Sequence, residues 1–158
     1  MENKRAQIWG FDLMIAMVIF ISGILAFYIY SINYPSEGQD KIDSLSYEGE
    51  IIGENLLTSG YPSNWSDDNV AVIGIVDENR INATKLEQFY NLANDPNGYN
   101  LSRAIFNTKY EYFINFSKEI GFNGIGLEFS NPVNLVRIPR ITIYKNQTIT
   151  MNIDIWES

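Results

Sequence analysis

The chain has 158 residues, with 11 lysine and arginine residues against 19 aspartate and glutamate residues, and it contains no histidine and no cysteine. This composition excludes a serine-histidine-aspartate triad, a cysteine nucleophile, disulfide bonds and the usual zinc site. The net charge of −8 disfavours nucleic acid as a partner. We therefore expect a protein that is not an enzyme and that needs no cofactor or metal.

The N-terminal segment is the most apolar part of the chain. From Leu13 to Tyr30 there are 18 residues without a charge, a length that predicts a membrane-spanning helix. We place this helix over residues 7–32. A cleavable secretory signal is the main alternative, although its apolar core is normally shorter, about 7 to 15 residues.

The basic residues around this segment indicate its orientation. Lys4 and Arg5 precede it, and the next base is Lys41. Because short basic flanks stay in the cytoplasm, we expect a single-pass protein of the cell membrane with its N-terminus inside. Residues 33–158 would form one extracytoplasmic domain, which holds 17 acidic and 9 basic residues.

The head Lys4-Arg5-Ala6-Gln7 resembles the class III signal of archaeal type IV pilin-like proteins. The resemblance implies that a prepilin peptidase removes residues 1–6 as a leader, cutting after Ala6 and leaving Gln7 at the N-terminus. It also implies that the helix stays on the protein and packs against other pilin-like subunits in a filament or surface complex. The alternative is an uncut single-pass protein in which Lys4 and Arg5 only set topology and the outer domain binds a partner or ligand.

The membrane segment itself carries candidate contact residues. Many bacterial pilins have a glutamate at the fifth mature position, whereas this chain has Phe11 there and Asp12 next. An acid in this place either lies among the headgroups, close to the positive end of the helix dipole, or pairs with a neighbouring subunit. Small residues at spacings that favour helix packing are Ala16, Ser22, Gly23 and Ala26.

The outer domain begins with helical patterns. Apolar residues recur at helical spacing over residues 40–58, which predicts an amphipathic helix. Residues 70–76 predict a short strand, and the capping-box spacing from Thr84 to Glu87 predicts a helix that runs to about Leu92. A further short helix is expected over residues 101–106.

Strand patterns follow from residue 109 onward. We expect strands over residues 110–116 and 125–129, and a hairpin whose arms, residues 136–143 and 149–155, meet across residues 145–148. Pro139 inside the first arm indicates an edge strand or a bulge. The fold class is therefore α+β, with the apolar helix first, further helices next and an antiparallel sheet last, an order that resembles the pilin fold.

Asparagine is frequent, and five asparagines begin N-x-S/T sequons in the predicted outer domain. Such sequons are acceptors for N-glycosylation in exported proteins, although a chain rich in asparagine also produces them by chance. Two positions are weaker candidates, because one is placed to cap a helix and the other lies on a predicted strand. The five are Asn64, Asn82, Asn100, Asn115 and Asn146.

Overall fold

A computed structural model describes the backbone of residues 3–33 and 37–157 and the side chains of residues 10–32 and 38–157. The chain divides into two compact units, Met1–Asp40 and Lys41–Ser158. The elements in chain order are α1 (Asn3–Asn33), α2 (Glu37–Leu56), β1 (Val76–Asp77), β2 (Arg80–Ile81), α3 (Ala83–Asn94), α4 (Pro96–Phe106), β3 (Glu111–Phe116), β4 (Ile125–Gly126), β5 (Val133–Tyr144) and β6 (Gln147–Glu157). The α+β class, with a long apolar helix first and an antiparallel sheet last, is confirmed.

The first unit consists mainly of α1. The helix begins at Asn3, four residues before the predicted start, and ends at Asn33, one residue after the predicted end. Every described side chain from Gly10 to Ile32 is exposed, whereas a helix whose residues are apolar all round is normally buried in a protein core or in a membrane. None of these described side chains lies in the core of the chain.

In the second unit, α2 lies on the sheet through one face. Leu45, Ile52 and Leu56 recur at helical spacing on this face and are completely buried. Gly49 belongs to the same face, where an added Cβ would collide with Ile138 of β5. The two glycines Gly49 and Gly53 let the backbone of α2 approach the sheet closely.

The main sheet has four antiparallel strands in the order β4-β3-β6-β5. Strands β5 and β6 form a hairpin with a two-residue turn, Lys145 and Asn146, which have φ angles of 47° and 63°. Positive φ at both residues is typical of a type I′ turn, whose twist matches that of the flanking strands. Because β5 is an edge strand, the prediction of an edge position for Pro139 is confirmed.

The residues of β6 alternate between the two faces of this sheet. Met151, Ile153 and Ile155 are fully buried on the helix side. Residues at even positions, including Asp154 and Trp156, lie on the other side, which we call the outer face. The core thus sits between the helices and the inner face of the sheet.

Several local predictions were wrong. Residues 70–76 do not form a strand; Val72 makes one isolated bridge to Tyr61, and Val76 belongs to the short hairpin β1-β2. The capping box at Thr84 was wrong, whereas the expectation that Asn82 caps a helix is confirmed, because its side chain accepts the N–H groups of Thr84 and Lys85 at the start of α3. A side-chain cap two residues earlier thus replaces the predicted capping box.

Further bounds differ from the sequence predictions. Helix α4 begins at Pro96, five residues before the predicted start, because Asp95 caps it and proline suits the first helical position. Strand β4 covers only residues 125–126 instead of 125–129. Strands β5 and β6 are longer at both ends than the predicted arms of the hairpin.

Candidate functional site

The apolar helix α1 is the first candidate site. Gly10–Ile32 spans 23 residues with a mean hydropathy of 2.4, and none of it is buried. At a rise of about 1.5 Å per residue this stretch is about 35 Å long, which matches the hydrocarbon thickness of a bilayer. Within the described part of the chain it is the one helix long and apolar enough to span a membrane.

An uninterrupted helix brings most of the predicted contact residues to one face. At 100° per residue, Asp12, Ala16, Gly23 and Ala26 fall within an arc of about 80°. Ser22 lies outside this arc, and its Oγ donates to the carbonyl oxygen of Val18 at 2.7 Å. The same arc also carries the larger side chains of Ile19 and Tyr30, so on this face small side chains are interspersed with large ones, and a carboxylate lies near its N-terminal end.

The predicted processing residues lie on the same helix. Lys4, Arg5, Ala6 and Gln7 are in the first turns of α1, and their side chains lie outside the described residues.

Three of the five sequon asparagines have exposed side chains. Asn64 lies in the turn after Pro62 and makes no hydrogen bond within the described part of the chain. Asn100 lies on α4, where its amide donates to the Pro96 carbonyl at 3.2 Å. Asn146 lies in the β5-β6 turn, and its Oδ1 accepts from Arg80 at 2.8 Å.

The other two asparagines use both ends of their side-chain amides inside the fold. Asn82 Oδ1 caps α3, and its Nδ2 donates to Asp77 at 2.8 Å. Asn115 lies on β3, where its Nδ2 donates to Asp154 at 3.0 Å and its Oδ1 accepts from Asn152 at 2.9 Å. Modification of either amide would disturb these contacts.

Asp154 is the centre of a polar cluster on the outer face of the sheet. Its side chain is completely buried, and it accepts from Arg137 Nε at 2.6 Å and from Arg137 Nη2 at 2.9 Å. This hydrogen bonding raises the pKa of the Arg137 guanidinium. The sequence gives no local signal for this cluster. The predicted hairpin places residues 137 and 154 on the same face only once the register of its two strands is known.

A second charged pair fixes the start of α3. Lys85 Nζ donates to Asp77 Oδ1 at 2.6 Å and to the Ser59 carbonyl at 2.9 Å. The hydrogen bond from Lys85, followed by that from Asn82, lowers the pKa of the Asp77 carboxyl against the effect of burial. These contacts join β1 to α3 and leave the lysine no access to solvent for chemistry.

A groove of 570 Å³ lies between the helices α3 and α4 and the edge strand β4. Tyr99 lines the groove, and its hydroxyl donates to Glu111 Oε2 at 2.7 Å. Arg103 Nη1 donates to Glu111 Oε1 at 2.9 Å, so these two charges neutralise each other. Burial raises the pKa of the Tyr99 hydroxyl, which therefore stays protonated. The groove thus combines aromatic and apolar side chains with one pair of opposite charges that neutralise each other.

The described residues contain no group of three or more acidic side chains arranged to hold a metal ion. Comparison with protein-family models, with curated proteins and with solved structures finds no match to this chain.

Proposed function

We propose that this chain is a pilin-like, non-catalytic structural subunit of a filament or surface complex, anchored in the cell membrane by α1. Its N-terminus lies in the cytoplasm and the unit Lys41–Ser158 lies outside. A prepilin peptidase removes the leader after Ala6. The mature helices of neighbouring subunits then pack side by side in the bilayer and display an acidic, glycosylated domain.

The observation that carries this proposal is the exposed apolar surface of α1. A helix whose described side chains from Gly10 to Ile32 are all exposed is stable where lipid or other helices cover those side chains. Gly23 and Ala26 are small enough for another helix to approach α1 closely at this point, and an added Cβ at Gly23 meets nothing within 4 Å among the described residues. This part of α1 is therefore where we propose that a second copy of the helix packs.

Asp12 supports the same arrangement. A carboxylate within a membrane helix usually faces a partner, a cavity or the interface. Here it lies on the face that carries Ala16 and Gly23, so packing of helices through this face would bring it toward the N-terminal part of a neighbour. After removal of the leader, the N-terminal amine of that neighbour would supply a positive charge at this position.

Exposed sequons support glycosylation of the outer domain. Asn64, Asn100 and Asn146 are accessible and lie on a turn, a helix surface and a hairpin turn. Asn82 and Asn115 are committed to internal hydrogen bonds, and Asn146 Oδ1 accepts from Arg80, so we assign glycans to Asn64 and Asn100 only.

The proposal is tested by the association of the full chain in lipid vesicles. The Gly23→Leu and Asp12→Ala variants are each compared with Met17→Leu, which changes the opposite face of α1. We expect Gly23→Leu and Asp12→Ala to reduce the fraction of cross-linked oligomers and Met17→Leu to leave it unchanged. Unchanged association in both test variants would contradict packing through this face.

The groove beside β4 favours a second candidate function. An uncut single-pass protein that binds a ligand through its outer domain would use this groove, which Tyr99, Arg103 and Glu111 line. Retention of Lys4 and Arg5 in the native protein, together with association that is insensitive to Gly23→Leu, would favour this function over the first.

A further inference from the structure

The unit Lys41–Ser158 carries two exposed surfaces of opposite charge. The first, which we call the acidic stripe, follows the outward face of α2 and consists of Asp43, Tyr47, Glu50 and Glu54, spaced by four, three and four residues. At this spacing the four side chains form one row along the helix. The row lies about 180° from Leu45, which is buried against the sheet.

The three acids of the stripe have no ion-pair partner among the described residues. Asp43, Glu50 and Glu54 are exposed, and none of them forms an ion pair or a side-chain hydrogen bond with another described residue. In the middle of the row, the Tyr47 ring is 66% exposed. The stripe thus has an aromatic side chain in its middle and acidic side chains on both sides of it.

The second surface, which we call the hairpin tip, surrounds the β5-β6 turn and carries three cations. Arg80 Nη1 donates to Asn146 at 2.8 Å, Lys118 Nζ donates to Gln147 at 3.1 Å, and the Lys145 ammonium lies 5.1 Å from the centre of the Tyr144 ring. None of the three forms an ion pair with a described acid, although Glu78 and Glu119 lie close in sequence. The contacts gather three positive charges at one end of the sheet.

Apolar side chains lie beside these cations. Ile141 is 75% exposed and Ile143 is 37% exposed, while Thr142 between them is buried. Because side chains alternate along a strand, the two isoleucines lie on the outer face of the sheet, away from α2. The hairpin tip is thus an apolar centre with positive charges around it.

The two surfaces are complementary in charge and in the placement of their apolar parts. Each has an exposed apolar centre, Tyr47 in the stripe and Ile141 in the tip, and each has three charges that are unpaired within the described residues. Complementary potentials of this kind select partner and orientation. Exposed apolar area beside such charges is typical of a surface that contacts another protein.

We propose that the acidic stripe of one copy binds the hairpin tip of a second copy of this chain. The stripe and the tip lie on opposite sides of the unit, one beyond α2 and the other on the outer face of the sheet. A contact between two different surfaces is heterologous and repeats from copy to copy, which builds a ring or an open chain and not a closed dimer. This inference rests on the proposed function, since it names the contact between outer domains in an assembly held in the membrane by α1.

Disulfide trapping tests the contact, and the absence of cysteine from the chain gives a clean background. Full-length copies carrying Tyr47→Cys are mixed with copies carrying Ile141→Cys in vesicles of zwitterionic lipid and oxidised. The control mixture replaces Tyr47→Cys by Glu87→Cys, a change at an exposed position of α3. We expect the 47–141 disulfide to form with about tenfold greater yield than the control disulfide.

Charge reversal shows whether the stripe and the tip act on each other. Glu50→Lys with Glu54→Lys is added to the Tyr47→Cys copies and should lower the yield about tenfold. The Lys118→Glu and Lys145→Glu changes are added together to the Ile141→Cys copies. These copies should give a low yield with Tyr47→Cys copies that keep their acids, and the original yield with Tyr47→Cys copies that carry Glu50→Lys and Glu54→Lys. Each set keeps its side chains on the surface, and circular dichroism of each variant checks that the fold is intact.

The outcomes separate this inference from the proposed function. A 47–141 yield equal to the control yield, or a predominance of 141–141 disulfides, would overturn the contact between stripe and tip. If the oligomers were still sensitive to Gly23→Leu in that case, the proposed packing of α1 would remain supported without a contact between the stripe and the tip. A strong 47–141 disulfide that is insensitive to Gly23→Leu would instead support the outer-domain contact and refute assembly through α1.

Discussion

The packing of α2 on the sheet predicts that Gly49 tolerates no side chain of ordinary size. An added Cβ would collide with Ile138 Cδ1 and lie 3.1 Å from Ile155 Cγ2. Overpacking of this kind typically costs about 1 to 3 kcal/mol. Valine has a higher helix propensity than glycine, which offsets about 0.4 kcal/mol of that cost. We therefore expect Gly49→Val to lower the free energy of unfolding by about 2 kcal/mol.

Gly38→Val is the matched control, because it is the same change in the same helix with nothing within 4 Å of the new Cβ. Its effect should stay within about 0.5 kcal/mol, as is usual for exposed positions. Thermal unfolding of the full chain in detergent, followed by the fluorescence of the buried Trp65 and Trp156, measures both variants. We expect the midpoint to fall by about 6 to 10 °C for Gly49→Val alone. Equal midpoints for the two variants would refute the close approach of α2 to the sheet.

Three further predictions concern the unit Lys41–Ser158. Arg137→Met should lower the free energy of unfolding by about 1.5 to 3 kcal/mol, because it leaves the buried Asp154 carboxylate with fewer hydrogen-bond donors. This value is below the full cost of breaking a buried ion pair, since half of the Arg137 side chain is solvated. An unchanged midpoint in a urea titration would contradict it. Asn82→Ala should cost about 1 to 2 kcal/mol through loss of the α3 cap, measured by the same urea titration, whereas Asn82→Asp keeps a capping oxygen and should recover part of that loss. Glycopeptide mass spectrometry of the native protein should find Asn64 occupied and Asn115 unmodified, and the reverse pattern would show that the sheet does not protect Asn115.

The sequence predicted the elements whose signal is periodic. The apolar run over residues 7–32 and the helical spacing of Leu45, Ile52 and Leu56 are local patterns, and both helices were found within four residues of their predicted ends. The hairpin β5-β6 was predicted because its two arms alternate on either side of a polar turn. These features depend on residues close together in the chain.

The remaining features depend on residues that are distant in sequence. Residues 70–76 have the composition of a strand, but no neighbouring strand is present to pair with most of them, so they form a loop with one bridge to Tyr61. The groove beside β4 arises where Arg103 of α4 meets Glu111 of β3, a contact that no local pattern indicates. Similarly, Asp154 is buried only because Arg137 and Asn115 from two neighbouring strands bond to it.

The N-terminus of the native protein, determined by intact mass and peptide sequencing of the membrane fraction, tests the central claim most directly. A processed pilin-like subunit is expected to begin at Gln7 and to retain the whole of Gly10–Ile32. A native chain that retains Lys4 and Arg5 would contradict leader removal. A chain that begins after Ile32 would contradict the membrane anchor.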